Sequence, residues 1–400
     1  MSLNTLPPPS SFATRWSLTP AVVHLNHGSF GACPTEVLQF QQEVQRRIEE
    51  NPMQFYARDY PNIMGEVRET VGDFVGAPAE DIALVSNATE AVNTVLRSLP
   101  WKPGDEILLT DHGYNACKNT ARFIAEHHGV KLVEAPLPFP IASEDDVVEA
   151  VLEKVTPNTR LALLDHITSP IALLLPIKIL IDELRERGVE TLIDGAHAPG
   201  MVPLDLAALQ PTYYTGNFHK WLCTPRGAAF LYVSRDQQHK IRPLSISHGA
   251  ELKGPARFRA EFDWTGTDDV TALLAVPKAI EFLSGFFEGG INELMMRNHA
   301  LAARAQSLLA DALNMPLPCP ESMLGSMAAF PLPPTNVAPH QPDPFPTALF
   351  ERWKIEIGFA PPGRATHRCF RISAQAYNSL DQYRYLATAL QKSELAASTL

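Results

Sequence analysis

Short apolar runs alternate with amphipathic stretches through the middle of this chain. The runs fall at residues 82–85, 106–109, 130–133, 161–164, 191–193, 212–215 and 228–233, and each has the length of a buried strand. Between most of them lie segments whose apolar residues recur at helical spacing, at 90–99, 119–128, 145–154 and 177–187. Alternation of this kind predicts an α/β fold, with a large domain on a mostly parallel seven-stranded sheet covered on both faces. Ligands of such sheets sit beyond the carboxyl ends of the strands.

Upstream, AVVHLNHGSFGACP reads as a short strand, a glycine-rich turn and a proline opening a helix over 35–50. Val37, Leu38, Val44 and Ile48 lie close to helical spacing there, and Asn51-Pro52 ends the helix. A second helix over 63–75 stops at Gly76. After about residue 238 the pattern changes. Residues 245–267 read as loop, 272–287 and 291–313 as helices, and the proline-dense 331–346 as an extended loop or lid. CFRISA then reads as a strand ahead of a helix from about residue 380. The expected division is a large domain over 21–260 and a smaller C-terminal α+β domain over 270–400, with 1–20 an arm packed on the latter.

Four hundred residues suit two domains better than one core. Thirty-three basic against 44 acidic residues give a net charge of −11, which argues against nucleic acid and against an anionic membrane surface. No apolar run reaches the length of about 18 residues that a membrane span needs. The opening MSLNTLPPPSSF lacks the basic and apolar regions of a secretory signal. Five cysteines, Cys33, Cys117, Cys223, Cys319 and Cys369, are odd in number and scattered. Without C-x-x-C or HExxH they indicate neither a disulfide framework nor a metal site. A cytoplasmic enzyme is the expectation.

Candidate chemistry gathers between residues 191 and 220. An apolar strand delivers Asp194 and, three residues on, His197; a second β-like run leads to His219 and Lys220. A carboxylate at one strand end and a lysine at the next suit a cofactor with a basic ring nitrogen and an aldehyde, such as pyridoxal 5'-phosphate (PLP). The acid keeps the ring nitrogen protonated and the lysine amine forms the Schiff base. Taken alone, Asp194 reads equally as a turn or cap residue and Lys220 as a surface lysine. A phosphate site strengthens the first reading. Ser86, Asn87, Ala88 and Thr89 follow a strand and open a helix, where backbone N–H groups and the helix dipole attract an anion. Simple capping by Asn87 or Thr89 explains the same residues. DHGYNA follows the next strand and offers Tyr114 or His112 to cover a ring; a tyrosine there otherwise packs half-buried.

SNATEAVN, DHGYNA, DHITSP, LIDGAHAPG and TGNFHKWLCTPRG occur in this order and at separations that resemble the class V aminotransferase group of fold-type I PLP-dependent enzymes. LNHGSFGACP and DHITSP resemble more narrowly its isopenicillin N epimerase-like branch. The likeness spans roughly residues 23–378 and implies the fold-type I transferase fold. It implies that Lys220 holds PLP and moves protons at the substrate α-carbon, and that Asp194 pairs with the ring nitrogen. It also implies that His197 meets the ring phenolate oxygen, that Ala88, Thr89, Asn217 and His219 bind phosphate, and that Tyr114 stacks on the ring. WTGT matches a segment that relatives insert from a neighbouring subunit, which implies a homodimer with Thr267 at the other protomer's phosphate. Arg371 matches the arginine that clamps a substrate α-carboxylate through a bidentate pair. Asn26, His27 and Ser29, with Tyr56 and Arg58, are expected on the substrate side.

Cysteine desulfurases of this group carry an asparagine where Ser169 stands, so the contact near His166 and Ser169 is changed here. Their nucleophilic cysteine precedes the clamp arginine on a loop that here reads IEIGFAPPG, without cysteine, and Cys369 is expected in a strand. Persulfide-forming desulfuration is therefore rejected as the main reading. What the resemblance implies first is an epimerase or racemase acting on an amino-acid-derived small molecule. A β-eliminating C–S lyase stands as the alternative, with an aminotransferase and a non-enzymatic scaffold behind it.

Overall fold

A computed structural model describes residues 6–334, 341–360 and 368–392. Each of the seven apolar runs forms a strand: β1 (Ile82–Val85), β2 (Glu106–Thr110), β3 (Lys131–Ala135), β4 (Thr159–Asp165), β5 (Glu190–Asp194), β6 (Tyr213–Asn217) and β7 (Ala229–Val233). They make one sheet in the order β1-β7-β6-β5-β4-β2-β3, parallel except for β7, which runs antiparallel to both β1 and β6. Only β3, at one edge, carries exposed residues, Lys131 and Glu134. The inner strands are buried on both sides, which is why they read as unbroken apolar runs.

Successive residues of a strand face opposite layers. Leu109, Leu161, Leu163 and Leu192 join a core with Val92, Val95, Ala121 and Ile124, while Leu108, Ala162, Leu164 and Ile193 join the larger one. The helices on these layers begin with α1 (Thr35–Glu50) and α2 (Tyr60–Val75), the latter closed by left-handed Gly76. There follow α3 (Ala88–Ser98), α4 (Asn115–His128), α5 (Glu144–Leu152) and α6 (Ile177–Glu186).

The stretch expected as loop over 245–267 instead holds a 3-10 turn and α7 (Ala256–Asp263). Its helical signal is faint because the buried face includes Glu261, neutralised by Arg242 and Arg257 rather than packed as an apolar residue. The apolar segment at 272–287 is interrupted: Thr271–Leu274 is separate from α8 (Val276–Ser284). Pro277, which has no backbone N–H to donate, sits in the first turn of α8.

After α9 (Gly290–Leu313) come β8 (Met327–Pro331), α10 (Pro344–Trp353), β9 (Gly358–Ala360), β10 (Cys369–Ser373) and α11 (Leu380–Lys392). The strands form an antiparallel sheet ordered β9-β10-β8. The proline-dense segment is not extended throughout, because Asp343 caps α10 by accepting the Phe345 N–H at 2.9 Å; residues 335–340 lie outside the described residues. The N-terminal stretch reaches this end of the chain. Val23–His24 pairs in parallel with Ile355–Glu356, Ser10 donates its N–H to Tyr377, and Trp16 packs edge-on against Phe282 and Tyr377.

Candidate active site

β4, β5 and β6 end side by side, and the chemistry stands at their carboxyl ends. Asp194 is the last residue of β5 and is buried. Its Oδ1 accepts the Ala196 N–H at 3.0 Å and its Oδ2 accepts the Cys117 thiol at 3.1 Å. The next residue has to be glycine: a Cβ at Gly195 would overlap the ring of Tyr214. That tyrosine is locked in turn, its hydroxyl 2.7 Å from His166 Nδ1.

Lys220 follows β6 and is buried, with Nζ 3.2 Å from His197 Nε2. Desolvation pulls its amine down to about 8, against the attraction of Asp194. A hydrogen-bond argument points the same way. The Trp221 indole can only donate, and it donates to His197 Nδ1 at 3.3 Å. Burial pushes His197 well below the usual histidine range, so its ring is neutral and its one proton sits on Nε2. Nε2–H then donates to Lys220 Nζ, which accepts only as a free amine. A buried uncharged lysine amine is a nucleophile and a base.

The Lys220 backbone is braced from behind. His27 Nε2 lies 2.8 Å from the Lys220 carbonyl oxygen, and Nδ1 lies 3.0 Å from the Tyr377 hydroxyl. Burial holds His27 down at about 4. The expected place of His27 among substrate-lining residues is corrected on this point: both ring nitrogens face protein partners in the interior. Gly31 closes against the same turn with φ 68°, and a Cβ there would overlap the His219 carbonyl.

The start of α3 forms a small cradle. Asn87 accepts the Glu90 N–H at 2.9 Å, and Asn217, at the end of β6, accepts the Ala88 N–H at 2.9 Å. Two expected phosphate donors are therefore engaged with each other, which ties the helix start to the sheet. Thr89, the next residue of α3, makes no hydrogen bond through its hydroxyl among the described residues. His219 Nδ1 is buried and has no partner among the described residues. These groups fit a phosphate. Above them Tyr114, at the N-cap of α4, has its ring centroid 5.9 Å from Lys220 Nζ. His112, the other candidate for covering a ring, is fully buried beside Phe139.

Arg371 forms the facing wall, from the middle of β10. Its guanidinium donates to the backbone carbonyl of Ser169, to Ser169 Oγ at 3.3 Å and to Ser29 Oγ at 3.2 Å. Ser29 donates to Asn26 Oδ1 at 2.7 Å, so three expected substrate-side residues are gathered around the arginine. The side chain is 5% exposed and its Nε has no partner. No ion pair joins it to a carboxylate among the described residues. Burial lowers it to about 10, which leaves it a cation at neutral pH. A buried cation without a counter-charge is costly, and this one opens on a hollow of about 370 Å³ lined also by Ser29, Tyr114, Asn119 and Ser169.

Tyr56, Arg58 and Thr267 are not brought to this hollow within the chain. Tyr56 and Thr267 line a separate one with Gln45, and the Tyr56 hydroxyl donates to the Asp268 carbonyl at 3.1 Å. Arg58 is exposed and bonds Gln54. Cys369 is buried in β10, its thiol pushed up to about 12, which removes it as a nucleophile. The sequence reading passed over Cys117 and Asp165. Asp165 carried a usable signal, since it ends an apolar run just as Asp194 does.

The donors, the buried lysine and the orphaned atoms fit a phosphorylated, aldehyde-bearing ring, and the comparisons agree. Aminotransferase class-V is the family whose model matches, over residues 31–378. Isopenicillin N epimerase of Amycolatopsis lactamdurans is 36% identical over 95% of this chain and 99% of its own. A probable chloroplastic L-cysteine desulfhydrase of Arabidopsis thaliana is 31% identical over 93% of this chain and 82% of its own. A solved structure of a C-DES mutant with glycine covalently linked to the PLP cofactor matches with TM-score 0.77 at 20% identity, over 96% of this chain and 100% of that one. The chain belongs to the class-V aminotransferase family of fold-type I enzymes and is a PLP-dependent enzyme.

Proposed function

We propose that this enzyme inverts the configuration at the α-carbon of an amino-acid-derived substrate, in the manner of an isopenicillin N epimerase. The observation that carries the substrate class is the buried guanidinium of Arg371, which has no carboxylate partner among the described residues and opens on a hollow walled by Tyr114, whose ring lies near the Lys220 amine. A carboxylate satisfies Arg371 through a bidentate pair, which turns the α-carbon toward Lys220. PLP, when bound, supplies an electron sink for the bond broken at that carbon.

Lys220 holds the cofactor and then moves a proton on and off the α-carbon. Asp194 accepts the ring N–H with the geometry that Cys117 and Ala196 impose on it. Thr89 and His219 bind the phosphate from a scaffold fixed by Asn87, Ala88 and Asn217, His197 meets the ring oxygen, and Tyr114 covers the ring. Relatedness at 36% identity over nearly the whole chain supports epimerisation. One observation favours a second reading, C–S β-elimination. Among the described residues no histidine or carboxylate lines the hollow, which leaves the Tyr114 hydroxyl as the partner base for Lys220 there, and elimination needs a single base. A desulfhydrase relative agrees with that reading.

Incubation with candidate amino acids in deuterated water separates the two. Deuterium at the α-carbon with loss of optical activity is the expected result; release of pyruvate and ammonia transfers the assignment to the lyase.

We further propose a cytoplasmic homodimer in which Thr267, with Tyr56 and Arg58 nearby, serves the partner's site. Exposure of Thr267 on a hollow away from its own chain's Lys220 supports this, and five free thiols suit a reducing compartment. The separate sheets support two domains, 21–260 and 270–400. None of the helices is long and apolar enough to cross a membrane among the described residues.

A further inference from the structure

Asp165 has no part in the scheme above, yet it ends β4 on the rung beside Asp194, with the two Cα atoms in register. Paired residues of neighbouring parallel strands send their side chains to the same face at a spacing of about 4.8 Å. Asp165 is 6% exposed and Asp194 is 3% exposed. Two buried acids this close repel each other as carboxylates, and the Lys220 amine faces both.

Their hydrogen bonds differ. Both Asp194 oxygens accept, one from the Ala196 N–H and one from the Cys117 thiol, as suits a carboxylate. Asp165 accepts from backbone N–H groups, that of Tyr114 and its own. The loop also lies on it closely, since a Cβ at Gly113 would be 3.6 Å from Asp165 Oδ2. The acid at 165 is therefore the anchor of the loop that carries the ring-covering tyrosine. The groups facing it are Asp194 from β5, Lys220 from beyond β6, Cys117 from α4 and the Tyr114 N–H from the loop after β2.

We propose that Asp165 is a positioning residue of the cofactor site: it pins Tyr114 over Lys220 and holds a proton, so that Asp194 alone of the two acids meets the ring nitrogen as a carboxylate. Burial and the neighbouring Asp194 charge, which push the Asp165 carboxyl well up, agree with this. The inference rests on the cofactor seat proposed above and is independent of which α-carbon reaction follows.

The test compares wild type, Asp165→Asn and Asp165→Ala. Infrared difference spectra of the apo-proteins at neutral pH read the proton directly. A protonated-carboxyl carbonyl band present in wild type and missing in Asp165→Asn is the expected result; its absence from wild type overturns the proposal. PLP affinity, followed by quenching of tryptophan fluorescence, reads the anchoring. Asp165→Ala leaves the Tyr114 N–H unpaired and weakens binding about tenfold, whereas the neutral amide of Asp165→Asn still accepts that N–H and restores affinity to within about threefold. Equal weakening in both variants means that the charge is needed, and the idea fails even if Asp165→Ala is poorly folded. Borohydride trapping of PLP on Lys220 in wild type is the control: if nothing is trapped, the proposed seat is wrong, whatever the infrared result.

Discussion

The floor of the site and its facing wall are built on opposite plans. On the floor, at the ends of β5 and β6, Asp194, His197 and Lys220 each meet a fixed partner, and Gly195 and Gly31 admit neighbours that no other residue would allow. On the wall, Arg371 is held by serine oxygens and a backbone carbonyl, and no carboxylate among the described residues answers its charge. The floor is complete without a substrate and the wall is not. On the proposed reading, the groups assigned to the cofactor are over-determined by the sheet, whereas the group proposed to accept and release substrate is left with binding energy unspent.

Lys220→Ala tests the floor hardest. Activity is expected to fall at least about a thousandfold, with loss of the visible band of the lysine-linked cofactor and of borohydride trapping. Full activity in this variant would break the comparison outright. Arg371→Ala strikes the wall: KM should rise about 10- to 100-fold while PLP affinity stays near wild type. A matching loss of PLP affinity would mean that floor and wall are not separable.

Acid sharpens the contrast through the braces beneath the floor. His27 and His166 both stay neutral down to about 4 against an ordinary 6.5, because burial penalises the imidazolium. The unfolded chain takes up these protons first as pH falls below 6.5, so folded-state stability is lost between about pH 6.5 and 4. Thermal melts of the apo-protein should show that slope, and His27→Gln should make it shallower; an unchanged slope would remove His27 from the account. Cys117→Ala removes one neutral donor to Asp194 and should weaken PLP binding about fivefold. Smallest is Thr267→Ala, expected to weaken PLP binding two- to threefold or so in the dimer measured by sedimentation. No change there would detach Thr267 from the partner's site.

The large sheet was legible because strands covered on both faces write themselves as continuous apolar runs, and Asp194 and Lys220 stand where those runs end. The strand-like CFRISA also placed Arg371 on its strand. Other features were hidden for physical reasons. The buried side of α7 hides behind a paired glutamate. The inward turn of His27 depends on contacts with residues some 193 and 350 positions away, which no local pattern encodes. Asp165 ends an apolar run as Asp194 does, but its pairing with Asp194 became visible only through register, since β4 and β5 must be paired before two acids in distant motifs become neighbours.

The brace on Lys220 bears on how the protein is made. Val23 and Leu25 donate to the carbonyls of Lys354 and Glu356, Ser373 donates to the Leu25 carbonyl, and His27 bonds Tyr377. A ribosome has released the lysine well before it synthesises residues 354–377, so residues 23–27 wait for partners as far as 350 positions later before they can lock. Premature termination just before residue 354 should therefore yield a polypeptide with every strand of the large sheet and a lysine turn without its C-terminal tether.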